Sequence, residues 1–214
     1  MEKRYTLGEE IANAITHGLG TIASIVVLVL LIIAGARQHS SLMVVSFCIY
    51  GAGNILMFLF STLYHAITHQ KAKAVLRVLD HSAIYLAIAG TYTPIILLTL
   101  NGTLRIVAIS LMWTMAILGI VITSVFHKNM NKNMIINTII YIAMGWVAVF
   151  ITKNIVDVAG MKFLLWIIAG GIFYTIGSIF YVKKNIKLNH VIWHVFVLLG
   201  SIMHMCGIMI YLTK

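Results

Sequence analysis

The sequence predicts an all-α, polytopic membrane protein of seven transmembrane helices, and three observations carry that expectation. Of 214 residues, 61% are hydrophobic and only 9% are charged, whereas a soluble domain needs about a quarter of its residues charged to solvate its exterior. Seven apolar runs, at 14–36, 41–64, 76–100, 104–126, 134–152, 161–182 and 190–212, are each long enough to cross a bilayer. The joints between them are short and polar, and no run shows the alternating segments of about ten residues that barrel strands require. Residues 1–214 therefore read as one domain, with no linker or low-complexity tract.

Run one carries Glu10, Asn13 and His17 on one helical face, at i, i+3 and i+7. Its end, Ala34-Gly35-Ala36, mimics a processing site, but the run is long for a signal peptide and Glu9 and Glu10 spoil a basic leader, so it is expected to remain a span. Run two ends on Ser61 and His65, run three opens on Leu79-Asp80-His81 and holds the single proline, Pro94, where a kink is expected. Small residues in runs two and six, among them Gly51, Gly53, Gly170, Gly171 and Gly177, suit close helix packing, with a homo-oligomer face as the weaker alternative. Run seven opens on His190 and His194. Trp113, Trp146, Trp166 and Trp193 read as interface anchors and packing residues. Cys48 and Cys206 lie in apolar runs without CxxC spacing and read as small buried residues.

The net charge of +10 does not call for nucleic acid, because the basic residues are scattered between apolar runs and act as topology signals. One side of the membrane receives Lys3, Arg4, Lys71, Lys73, Arg77, Lys128, Lys132, Lys183, Lys184 and Lys187, which is ten; the other receives Arg37, Arg105, Lys153, Lys162 and Lys214, which is five. Positive residues are retained inside, so the N-terminus is expected in the cytoplasm and the C-terminus outside, in the plasma membrane.

Ionisable residues within spans are costly and mark function. Asp80 is the one acid inside an apolar run. The expected topology brings the end of run two and the starts of runs three and seven to one depth. On each helix the i, i+4 spacing of Ser61 with His65, and of His190 with His194, places the pair on one face. Two imidazoles one turn apart, met by a third from another helix, match a tetrahedral zinc site with an open fourth position for water, whose pKa zinc lowers from 15.7 to about 7. Asp80 is then the candidate to orient that water or act as general base, and Ser61 the candidate donor to water, to Asp80 or to a developing oxyanion. These residue types fit metal-assisted hydrolysis of a lipid amide or ester. Glu10, Asn13 and His17 are expected to be mainly structural, with a supporting role around the metal as the alternative. His204 lies about 15 Å beyond His194 along the helix and is expected to bond across the bundle. His81 points about 100° away from Asp80 and is a poor ligand, and His39, His69 and His127 read as solvated.

In order, Glu10-x2-Asn13-x3-His17, Ser61-x3-His65, Leu79-Asp80-His81 and His190-x3-His194 resemble the signatures of the progestin and adipoQ receptor superfamily, and most of all its bacterial haemolysin III or membrane-homeostasis branch. The resemblance spans all seven runs. It implies seven helices with a cytoplasmic N-terminus, zinc on His65, His190 and His194, Asp80 near the zinc-bound water and Ser61 as its partner. It also implies ceramidase-like lipid hydrolysis in membrane homeostasis. Membrane lipids are the expected partners. The near absence of extramembrane segments argues against a protein hormone, and no amphipathic segment supports lysis. A non-enzymatic sensor with structural zinc is the alternative, and a channel is disfavoured because the polar residues crowd one leaflet.

Overall fold

A computed structural model of the chain describes residues 5–127 and 130–213. Of the residues used for topology, Lys3, Arg4, Lys128 and Lys214 lie outside that range, as does Glu2. Among the described residues the structure is all-helical: α1 (Leu7–Arg37), α2 (Ser41–Ala66), α3 (Gln70–Thr99), α4 (Gly102–Val125), α5 (Met130–Gly145), a 3-10 segment (Trp146–Ile151), α6 (Thr152–Val182) and α7 (Asn189–Tyr211). Six stretches are long and apolar enough to cross a membrane, the fifth being a 49-residue run from Met134 to Val182.

That long run is two helical arms. As one rod it would be about 70 Å long, against a hydrocarbon core of about 30 Å. Yet Trp146 Nε1 donates to Thr175 Oγ1 at 3.0 Å across 29 residues, a separation of roughly 43 Å along a straight helix. The same reversal brings Tyr141 and Tyr181 together on His81: Tyr141 Oη donates to the His81 carbonyl at 3.1 Å, and Tyr181 Oη lies 3.2 Å from His81 Nε2. Between the arms sits Gly160, at φ 83°, ψ 163°. A side chain disfavours such a conformation, and glycine allows it. By contrast, α3 stays helical through Pro94 to Thr99.

The helices are amphipathic in the reverse of the soluble sense. On α1, Ile11, Ile15, Leu19, Ile22, Val26, Val29 and Ile33 are exposed. The buried face holds Glu9, Asn13, His17, Gly20, Ser24, Leu31 and Gly35. Lipid is as apolar as a leucine side chain, so the exposed stripe is solvated by acyl chains, and polar or small residues turn inward to bond and pack. Thr6 caps α1 in a capping box, with Glu9 N donating to Thr6 Oγ1 and Thr6 N donating to Glu9 Oε2. The cap fixes where the first turn starts, and with it the positions of Tyr5 and Glu10. Helices α2 and α3 cross closely, and a Cβ on Gly53 would lie 2.8 Å from the Leu86 carbonyl oxygen. Glycine lets these two backbones meet, which brings the end of α2 against the start of α3.

Candidate metal centre

The starts of α1, α3 and α7 and the end of α2 meet at one end of the bundle. Ser61 and His65 come from the last turns of α2, and His190 and His194 from the first turns of α7. All four are buried, at 1%, 3%, 7% and 2% exposure. One ring nitrogen from each of His65, His190 and His194 can be chosen so that all three lie within 4.8 Å of one another. His190 Nε2 and His194 Nε2 are 3.0 Å apart. Two nitrogens bound tetrahedrally at 2.0–2.1 Å would stand about 3.3 Å apart, so a few tenths of an ångström separate this arrangement from a ligating one. His65 Nε2 is fully buried without a hydrogen-bond partner among the described residues. A buried nitrogen left unpaired is a costly arrangement, and a cation would relieve it. The three imidazoles therefore could hold a metal ion.

Around the ligand set lies an aromatic and polar wall. His17 stacks on His194 with 3.6 Å between ring centroids and 15° between planes, and Phe58 meets His17 edge-on. Tyr5 stacks on His190 at 4.9 Å and presents an edge to His65 at 5.8 Å. Glu10 Oε2 lies 2.6 Å from His65 Nδ1, and Lys73 Nζ donates to Glu10 Oε1 at 2.7 Å. Of the α1 trio, then, Glu10 and His17 touch the ligands directly. Asn13 is wholly buried, and its side-chain amide has no hydrogen-bond partner among the described residues.

Ser61 and Asp80 line a cavity of about 110 Å³ that His17, His190 and His194 also border. The Ser61 hydroxyl is buried and faces the Asp80 carboxylate. The cavity continues away from the histidines between α3, α5, α6 and α7, past Ile84, Ile88, Ile95, Ile142, Ile167 and Val197, to Trp146 and His204. A volume of this size exceeds several times the ~30 Å³ that one water occupies. Its near end is polar and its shaft is apolar.

Other histidines divide as their sequence positions suggest. His204 Nε2 donates to the Ile167 carbonyl at 3.1 Å, across α7 and α6, beside Gly170. His81 Nδ1 donates to the Arg77 carbonyl at 2.9 Å, which makes Nε2 the acceptor from Tyr181 and turns the ring from the ligand set. His39, His69 and His127 are exposed. Sequence reasoning missed Tyr5, Lys73, Tyr141 and Tyr181. Each is an ordinary interfacial residue by composition, and its role depends on which helix packs beside it. Trp146, read as an anchor, bonds Thr175 and lines the cavity.

A helical multi-pass membrane protein with a buried three-histidine centre at one end of its bundle is the class these observations define. The chain belongs to the haemolysin-III related family, whose pattern it matches over residues 5–205. It is 44% identical to the hemolysin-3 homolog of Bacillus subtilis (strain 168) over 211 residues, which is 98% of this chain and 97% of that one. It is 45% identical to hemolysin-3 of Bacillus cereus over 204 residues, covering 95% and 91%. A more distant similarity, 28% over 174 residues and covering 78% and 70%, connects it to the human monocyte to macrophage differentiation factor.

Proposed function

We propose that this protein is a zinc-dependent hydrolase of a lipid amide or ester, ceramidase-like in chemistry, that crosses the plasma membrane seven times with its N-terminus in the cytoplasm and adjusts membrane lipid composition. The observation that carries this reading is the single cavity joining His190, His194, Ser61 and Asp80 to an apolar shaft. An acyl chain fits the shaft chemically, and its carbonyl then rests among the polar groups. Seven crossings follow from counting the stretches before and after Gly160 as separate arms. The ten-to-five split of Lys and Arg supports the orientation.

His65, His190 and His194 would hold the zinc ion, which would supply Lewis acidity and a more acidic water. The chain's own residues then divide the work. Asp80 accepts the proton of the attacking water as its oxygen adds to the carbonyl carbon. The Ser61 hydroxyl donates to the oxygen on which charge develops. The C–N or C–O bond breaks and Asp80 returns the proton to the leaving amine or alcohol. The isoleucine-lined shaft holds the chain in register and excludes bulk water.

Metal analysis of the purified protein, combined with mass spectrometry of lipids from cells lacking or overproducing it, tests the reading. Asp80→Asn should retain zinc and lose turnover by about 10²–10⁴-fold, and His194→Ala should lose both. Metal and turnover equal to wild type in His194→Ala would remove the catalytic centre from this account. A second reading, a lipid-state sensor with structural zinc, draws on the covering of His190 by Tyr5. It expects metal in wild type and Asp80→Asn alike, and a lipid product from neither.

A further inference from the structure

We infer that Glu10 and Lys73 are positioning residues for the histidine centre: the Glu10 carboxylate, held by Lys73, orients His65 and raises its donor strength towards a divalent cation. The inference rests on the metal reading above and extends it to residues outside the ligand set. Glu10 Oε2 is 2.6 Å from His65 Nδ1, and Glu10 Oε1 is 2.7 Å from Lys73 Nζ. Each carboxylate oxygen accepts, Oε1 from the Lys73 ammonium and Oε2 from the His65 ring. The proton of the His65 ring therefore sits on Nδ1, and the lone pair sits on Nε2. Nε2 is the buried atom that has no hydrogen-bond partner among the described residues. The tautomer that the carboxylate selects is thus the one that leaves a free ligand atom in the cluster with His190 and His194.

An ordinary surface ion pair would not carry this weight, since exposed pairs contribute little. Here three helices converge through one carboxylate: Glu10 from α1, His65 from 55 residues later on α2, and Lys73 from 63 residues later on α3. The His65 side chain is fully buried, while those of Glu10 and Lys73 are 19% and 26% exposed. Lys73 is itself placed over the Tyr64 ring, 5.0 Å from its centroid. The carboxylate therefore stands between water and the buried ligand, its two oxygens spent on two different partners. A side chain whose only role was to tie α1 to α3 would need Lys73 alone.

The test measures zinc affinity of the full-length protein in detergent by competition with a chromophoric chelator, with thermal melting of the metal-free protein as the control. Glu10→Gln keeps the shape and removes the charge. It should weaken zinc by about 10–100-fold and shift the ligand-field spectrum of the cobalt-loaded protein, with metal-free melting unchanged. Lys73→Met should weaken zinc in the same direction and Lys73→Arg should restore it, and this pair decides the question if Glu10→Gln does not fold. Zinc affinity of Glu10→Gln within twofold of wild type, or equal losses in Lys73→Met and Lys73→Arg, would overturn the inference. Wild-type protein that binds no zinc would overturn the metal reading and this inference with it, whereas wild-type binding with an indifferent Glu10 overturns this inference alone.

Discussion

The imidazole of His17 lies flat on that of His194, with 3.6 Å between centroids and 15° between planes. Residues 177 positions apart in the chain thus form one rigid aromatic stack, and the second ring belongs to the candidate ligand set. Removing the His17 ring frees one face of His194 and leaves a void beside it. His17→Ala should weaken zinc binding, though less than His194→Ala does, and His17→Phe should recover most of the loss because it restores a flat face. Chelator competition on the three purified variants checks the order. Equal behaviour of His17→Ala and wild type would show that the stack does not hold the ligand.

The α2–α3 crossing gives a prediction about packing. A methyl on Gly53 meets the Leu86 carbonyl oxygen at 2.8 Å, and a backbone atom cannot rotate away. Gly53→Ala should destabilise the protein by about 1–3 kcal/mol through forced separation of the helices. Gly8→Ala, where a Cβ meets nothing within 4 Å, should be neutral or slightly stabilising. Melting temperatures in one detergent compare the two.

Leu188 precedes α7 in the left-handed region, at φ 57° and ψ 20°. That conformation costs a non-glycine residue roughly 1–2 kcal/mol, and it sits two residues before His190. Leu188→Gly should raise the melting temperature, and Leu188→Val, branched at Cβ, should lower it. A fall in both variants would mean that side-chain packing outweighs the backbone at this turn.

Tyr5 closes the histidine cluster from the end of the bundle, stacked on His190 and edge-on to His65. Tyr5→Ala should leave the zinc content of a freshly loaded protein near wild type while hydrophilic chelators strip the ion faster. Stopped-flow chelation at fixed detergent reports this rate. An unchanged rate would place the path of metal escape elsewhere.

Much of the fold was legible in the chain because lipid imposes a simple rule. A crossing helix needs about 20 apolar residues, and the described residues are all-helical with six stretches long and apolar enough to cross, where seven runs were expected. The reversal at Gly160, inside α6, was also legible, as the joint between runs 134–152 and 161–182. The three histidines and Asp80 stood out because ionisable groups are rare in apolar runs. Tyr5 and Lys73 did not, since tyrosine and lysine are common at membrane interfaces and carry no signal there. Glu10 fell on a recognised face, but its bond to His65 could not be read from helical periodicity, which describes one helix at a time.

Apolar run lengths and the spacing of polar residues on each helix determine, without coordinates, that this chain is helical, lies in lipid and carries Ser61 with His65, and His190 with His194, one turn apart. Tertiary structure alone decided that His17 lies on His194, that Glu10 reaches both His65 and Lys73, and that one cavity runs from the histidines into an isoleucine shaft. The reason is physical. Partition between water and lipid acts on each segment separately and is written in local composition. Contacts between helices depend on rotation, tilt and close approach at residues such as Gly53, which are settled only when all the helices pack together.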